Sequence, residues 1–205
     1  MKIIEIYGYS CSGKSYLASE IKNKDNLDIS FSKISKKNRF VRIFSKFLHF
    51  FSIKFSDLFF VLNIHKEFSF INYKYKFKNF FSFIFLIGFI RKNINIQNSI
   101  VVDHGIFQCL FSCYIFSKQE NINHKKLSDI LIEFFLKLPI NLDYHAICMK
   151  TEIQTIKLRL KNKKNFTNLI FLEKNENKIN NAYLNLEYIS RLIAKKSINF
   201  TITKF

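Results

Sequence analysis

Apolar and polar residues alternate along the chain in two rhythms, one of period two and one near 3.6, and these predict its strands and helices. Lys2-Ile3-Ile4-Glu5-Ile6-Tyr7 reads as a strand, with a helix from Lys14 to Ile21. Asn26 to Phe31 reads as a short second strand. From Lys36 to about Leu62, Arg42, Lys46, His49, Ser52 and Ser56 recur at helical spacing. Phe40, Phe44, Phe47, Phe51 and Leu58 lie between them, which predicts one or two amphipathic helices. Tyr73 to Lys78 alternates like a strand, yet Tyr73, Phe77, Phe80, Phe81 and Ile84 also share a helix face, and helix is the preferred reading.

The second half is plainer. Ser99 to Asp103 is a short apolar run ending in a carboxylate, as an interior parallel strand would be. Gly105 to Phe116 and Lys125 to Leu138 read as helices, the second stopping before Pro139. Tyr144 to Met149 reads as a buried strand. Thr151 with Gln154 three residues on is a capping-box pattern that opens another helix. Residues 164–175 are polar and read as a loop. A helix is predicted from about Asn177 to Lys196, with Ile179, Tyr183, Leu186, Ile189 and Ile193 on one side, and a last strand from Ile198 to Thr203. Strands alternating with helices predict an α/β fold, a parallel sheet with helices on both faces. Ligands of such sheets bind beyond the carboxyl ends of the strands, so the loops after Tyr7, Asp103 and Met149 should meet at one site.

Composition changes this picture little. With 205 residues, 48% of them hydrophobic, the chain can bury a core without metal or disulfide staples. The formal charge of +18 would ordinarily point to nucleic acid or an anionic membrane. Here Lys, Ile, Asn and Phe are favoured throughout, as a codon bias would have it, so no localised binding stripe follows. The longest apolar run, Phe80 to Ile90, is bounded by Lys78 and Arg91 and falls short of the ~20 residues a membrane span needs. No secretory leader is expected, and Cys11, Cys109, Cys113 and Cys148 lack zinc spacing, so a soluble cytoplasmic protein with reduced thiols is expected.

The chemistry is concentrated in Gly8-Tyr9-Ser10-Cys11-Ser12-Gly13-Lys14-Ser15, which matches the Walker A pattern in full. Successive backbone N–H groups of such a loop wrap a phosphate chain, so glycine is needed where a side chain would block the approach. The helix behind it aims its N-terminal N–H groups and positive dipole end at the same anion. Lys14 would reach the terminal phosphates and Ser15 would offer its hydroxyl to Mg²⁺, with Gly8, Ser10, Cys11, Ser12, Gly13 and Tyr16 completing the nucleotide site. The motif sits between a predicted strand and a predicted helix and uses two of the four glycines in the chain. A chance glycine-rich turn is therefore a poor explanation.

Asp103, at a strand end and followed by His104-Gly105, is the candidate metal or acceptor carboxylate, and capping the next helix is compatible with that duty. Arg159 and Lys163 lie four apart before the polar segment, as residues closing over a triphosphate would. Arginine supplies a planar fork that lysine cannot, and the chain has only five: Arg39, Arg42, Arg91, Arg159 and Arg191. The first three fall in a region from Lys33 to Asn98 whose only acids are Asp57 and Glu67, which suits an anionic or hydroxyl-rich acceptor.

On Gly8–Ser15, Asp103-His104-Gly105 and the Arg159…Lys163 helix, the chain resembles the P-loop kinases of the nucleoside and nucleotide kinase group. That resemblance implies a P-loop NTPase fold with a five-stranded parallel sheet, residues 1–205 forming one kinase-like domain. It further implies a helical cap over about 33–98 and a lid over about 159–176. The implied cofactors are ATP and Mg²⁺, and the implied reaction is transfer of the γ-phosphoryl group to a nucleoside, nucleotide or other small acceptor. Lys14, Asp103 and Arg159 would carry the catalysis. Thymidylate and deoxynucleoside kinases usually place an arginine directly after the strand-end acid, where this chain has His104, and a second lid arginine where it has Lys163. The rival reading is a nucleotide-dependent switch or accessory ATPase acting on a protein partner through its Phe-rich middle. Nucleic acid is not expected as a partner, and the oligomeric state stays open, a homodimer included.

Overall fold

The structure, a computed structural model, describes residues 2–24, 29–30, 49–93, 99–102, 104–118, 122–138, 142–196 and 200–204. Asp103, Arg39 and Arg42 lie outside the described residues.

Strand β1 (Lys2–Tyr7) leads through the glycine loop into α1 (Lys14–Lys24), and β2 is the two-residue Ile29–Ser30. Two helices follow, α2 (Phe55–Lys66) and α3 (Tyr73–Asn93), then β3 (Ile100–Val102) and α4 (Ile106–Phe116). The chain continues with α5 (His124–Leu136), β4 (Asp143–Cys148), α6 (Ile153–Asn162), α7 (Phe166–Lys174), α8 (Glu176–Lys196) and β5 (Phe200–Lys204). All pairings are parallel, in the order β2-β3-β1-β4-β5. The sheet thus has four strands of three residues or more, with β2 as a brief edge. The chain leaves β1 toward β2 and β3 on one side and then crosses to β4 and β5 on the other. That reversal opens a crevice at the carboxyl end of β1, where Tyr7 is in register with Cys148.

The period-two alternation of β1 divides the interior. Ile4 and Ile6 join Val101 and Ile147 in a small cluster against Leu17, Ala18 and Ile21 of α1. Ile3 and Tyr7 face the larger core, which α3, α4, α5 and α8 cover. Glu5 sits between them on that same face and is wholly buried. Its environment is therefore a consequence of register, and it is taken up with the site below.

Several sequence expectations are redrawn. The helical pattern of Lys36 to Leu62 does not run unbroken: Lys54 is extended, and its N–H donates to the Asp57 carboxylate at 3.0 Å, which starts α2 afresh. Tyr73 to Lys78 is the first part of α3, with the Asn72 side chain accepting from Lys74 N–H at 2.9 Å. The apolar run Phe80 to Ile90 is the buried half of α3, and among the described residues no helix is long and apolar enough to cross a membrane.

Residues 164–175 are not a loop but hold α7. The Asn165 side chain caps it by accepting from Asn168 N–H, a bond whose loss costs ~1 kcal/mol in typical helices. Leu169 and Leu172, three apart, are buried against the core. The Arg91 guanidinium forks onto Asp57 at 2.8 and 3.1 Å and ties α3 to α2, and both side chains line a cavity of about 260 Å³.

Candidate functional site

Gly8 has φ +147°, Cys11 φ +64° and Gly13 φ +106°, so the chain reverses repeatedly between Tyr7 and Lys14. Gly8 is required twice over, because a Cβ there would also lie 2.6 Å from the Met149 carbonyl. Cys11 adopts a left-handed conformation that normally favours glycine. The Gly13 carbonyl accepts from Tyr16 N–H at 3.0 Å and Leu17 N–H at 3.1 Å, so α1 starts immediately behind the loop. Among the described residues, the N–H groups of Ser10, Cys11, Gly13 and Ser15 find no acceptor. They are the orphan donors of a helix N-terminus joined to those of a tight loop.

The Lys14 ammonium folds back over this nest and donates to the Gly8 carbonyl at 2.8 Å and the Tyr9 carbonyl at 2.7 Å. It holds a positive charge at the mouth of the loop. Ser15 is exposed at the first turn of α1, and Tyr16, the next residue, is 71% exposed. Ser12 is buried, and its hydroxyl has no hydrogen-bond partner among the described residues.

Three distant elements grip the loop from outside. Arg159 of α6 donates from Nη1 to the Cys11 carbonyl at 3.1 Å. The Thr151 hydroxyl donates to the Ser12 carbonyl at 2.7 Å. Thr151 is thus not the helix cap that its spacing from Gln154 predicts: Glu152 holds the N-cap position of α6, and the hydroxyl is used on the loop instead. From α8, the Tyr183 hydroxyl accepts Tyr9 N–H at 2.8 Å and donates to the Met149 carbonyl at 3.1 Å. Lys163 is the C-cap residue of α6 and is exposed, and among the described residues its side chain makes no hydrogen bond or ion pair to the loop.

The fourth grip comes from α4. Gln108 Oε1 accepts Gly8 N–H at 3.0 Å. Gln108 is itself fixed by Glu5, whose carboxylate accepts from Gln108 N–H at 2.7 Å and Phe107 N–H at 3.0 Å and from the Tyr144 hydroxyl. Glu5 therefore caps the N-terminus of α4 from inside the sheet, where the helix dipole favours an anion. Burial nevertheless pushes its carboxyl up to about 7, against the downward pull of the Tyr144, Gln108 and Phe107 hydrogen bonds. Gly105 makes the approach possible, because a Cβ on it would overlap the Glu5 carboxyl group.

Beside Gln108, a cavity of about 250 Å³ opens between α3 and α4. Tyr75, Phe85 and Phe116 give it apolar walls, and Asn79, His104 and Gln108 supply polar groups. Tyr75 and Phe116 stack at 4.0 Å in its wall. The Asn79 amide is already engaged, accepting from His65 Nε2 and donating to the Cys109 carbonyl at 2.8 Å. Gln108 thus lines the cavity and holds the glycine loop at once.

The structure brings Gly8 to Ser15 and Arg159 together, sets Lys163 and Tyr16 toward solvent, and leaves Asp103 undescribed. Glu5, Gln108, Thr151 and Tyr183 are the residues of the site that sequence reasoning misses. Only Glu5 carries a visible signal, as an acid within an otherwise apolar strand. No group of three or more His, Cys, Asp or Glu residues able to hold a metal occurs among the described residues.

No family model and no curated protein matches the chain. Among solved structures, the chain is similar to deoxyadenosine kinase from M. mycoides with bound dATP, at 17% identity and a TM-score of 0.49, covering 100% of this chain and 91% of that one. The same enzyme with products dCMP and a flexible dCDP gives 16% identity and a TM-score of 0.48, over 99% of this chain and 90% of that one. With bound dCTP it gives 16% and 0.47, over 100% and 90%.

Proposed function

We propose that this chain is a P-loop phosphotransferase that binds ATP with Mg²⁺ and passes the γ-phosphoryl group to a small acceptor held between α3 and α4. The observation that carries the reading is the set of N–H groups of Ser10, Cys11, Gly13 and Ser15, all lacking an acceptor among the described residues, three of them in the loop ahead of α1 and that of Ser15 in its first turn. Four such donors with the Lys14 ammonium over them would neutralise a polyphosphate without further rearrangement of the backbone.

Ser15 is exposed at the first turn of α1, which suits a hard cation that keeps most of its water, and Asp103 is the proposed second ligand. Mg²⁺ would supply charge neutralisation between the phosphates. Arg159 already lies against the Cys11 carbonyl, within reach of a phosphate chain in the loop, and α6 with α7 forms the proposed lid. The cavity beside Gln108 is the proposed acceptor pocket, since it is mostly apolar with a few convergent polar groups and adjoins the loop. A nucleoside fits that description, with its base against Tyr75, Phe85 and Phe116.

Direct binding tests the first half. MgATP should bind the protein in a titration calorimeter, and Lys14→Ala should weaken it by an order of magnitude or more. Equal affinity in protein and variant would remove the loop from the reading.

A further inference from the structure

We propose that Gln108 is a positioning residue that couples the filling of the α3–α4 cavity to the phosphate loop. The inference rests on the acceptor reading of that cavity. Gly8 opens the loop in a backbone conformation with φ +147°, and the partner of its N–H is a side chain, Gln108 Oε1 at 3.0 Å. A backbone partner would be indifferent to a ligand. A side chain that also lines the cavity is not.

The rest of Gln108 is held still. Its N–H is fixed to Glu5 at 2.7 Å, and Glu5 is in turn held by Phe107 N–H and the Tyr144 hydroxyl. The amide group is therefore the part of this assembly that a ligand can reach, while its oxygen stays on Gly8. The two ends of an amide polarise as a unit: donation from Nε2 to an acceptor atom of the ligand makes Oε1 a better acceptor. A ligand carbonyl or ring nitrogen in the cavity thus tightens the hold on Gly8 and with it the nest that follows. The coupling is reciprocal, so a triphosphate in the loop raises the affinity of the cavity by the same factor.

The test uses the full chain with Mg-AMP-PNP as the nucleotide and the four deoxynucleosides as cavity probes, each titrated alone and against saturating amounts of the other. At least one nucleoside should bind, and the two affinities should rise together, by about fivefold or more. Q108M removes both amide ends and should abolish the mutual effect, and it should also weaken nucleoside binding, because the cavity ligand loses its donor. Q108E keeps an oxygen for Gly8 but cannot donate, so it should hold the loop and still lose the coupling. Amide exchange at Gly8 should be faster in Q108M than in the parent and unchanged in Q108E, a difference that loss of fold stability would not reproduce. Nucleoside and nucleotide binding with no mutual effect in the parent protein overturns the coupling and leaves the acceptor reading standing. No nucleoside binding at all overturns both, and unchanged coupling in Q108M removes Gln108 from the role.

Discussion

The hydroxyl of Tyr183, on the last helix, accepts the backbone N–H of Tyr9 at 2.8 Å across 174 residues of sequence. The same hydroxyl donates to the Met149 carbonyl, so one atom closes two backbone groups at the carboxyl ends of β1 and β4. Tyr183 is 4% exposed, and its ring packs on Phe111 at 4.8 Å.

Removing that oxygen strands both groups without opening a large void. Tyr183→Phe is expected to cost about 1–3 kcal/mol of stability, the usual penalty for buried polar groups left unpaired. It should also weaken MgATP binding, because Tyr9 leads directly into the nest. Urea unfolding and calorimetry measure the two effects. A variant as stable as the parent would mean that water satisfies both groups.

Cys11 carries the opposite lesson, since φ +64° strains a residue with a Cβ. The left-handed conformation costs roughly 1–2 kcal/mol for an L-residue, and glycine gives back about 0.5–1 in chain entropy. Cys11→Gly should therefore stabilise the fold by about 0.5–1 kcal/mol, read as a higher urea midpoint. Cys11→Ala, which keeps the Cβ, should show no such gain.

Two buried groups set opposing responses to pH. Glu5 is pushed up to about 7 by burial, from an ordinary value of 4.5. The folded protein then holds a proton that the unfolded chain has lost, so this stability is present below pH ~4.5 and fades as pH rises through about 7. His65 is held down at about 4 by burial, from 6.5. Its contribution is present above pH ~6.5 and is lost as pH falls toward 4. The two responses run in opposite directions, so between pH ~4.5 and ~6.5 they largely cancel. His65→Phe should make the protein gain stability on acidification over that window, and Glu5→Gln should make it lose stability. Parallel slopes in both variants would contradict the assignment.

What the sequence made legible was local. The strand, the loop from Gly8 to Ser15 and the helix behind it lie within one short segment, so spacing alone reveals them. Arg159 could be placed by its scarcity and its position before the polar segment. Gln108 and Tyr183 could not, because their bonds to the loop span 100 and 174 residues, and helical periodicity reads Tyr183 simply as a core position. Helix α7 was hidden by Asn and Lys around Leu169 and Leu172, whose spacing of three is too brief to stand out. Thr151 misled for a related reason: its hydroxyl had a local partner on offer in sequence and a better one in space, the Ser12 carbonyl.

Among the described residues, Arg159 hydrogen-bonds the loop at the Cys11 carbonyl and is exposed, so it is a weak structural element in the free protein. Its proposed duty is on the transferring phosphoryl group. Arg159→Ala should leave thermal stability within about 0.5 kcal/mol of the parent, as surface substitutions do. Turnover should drop by about 10²–10³, the loss seen when a preorganised donor to a developing charge is removed. An unfolded or destabilised variant would place Arg159 in the scaffold instead.

The central claim is that Gly8 to Ser15 binds ATP for transfer to an acceptor. ADP release from MgATP, measured alone and against nucleosides, nucleotides and sugars, tests it most directly. The account predicts release stimulated by at least one acceptor and nearly abolished in Lys14→Ala. Release that no acceptor stimulates, or that survives in Lys14→Ala within a few-fold of the parent, would contradict it.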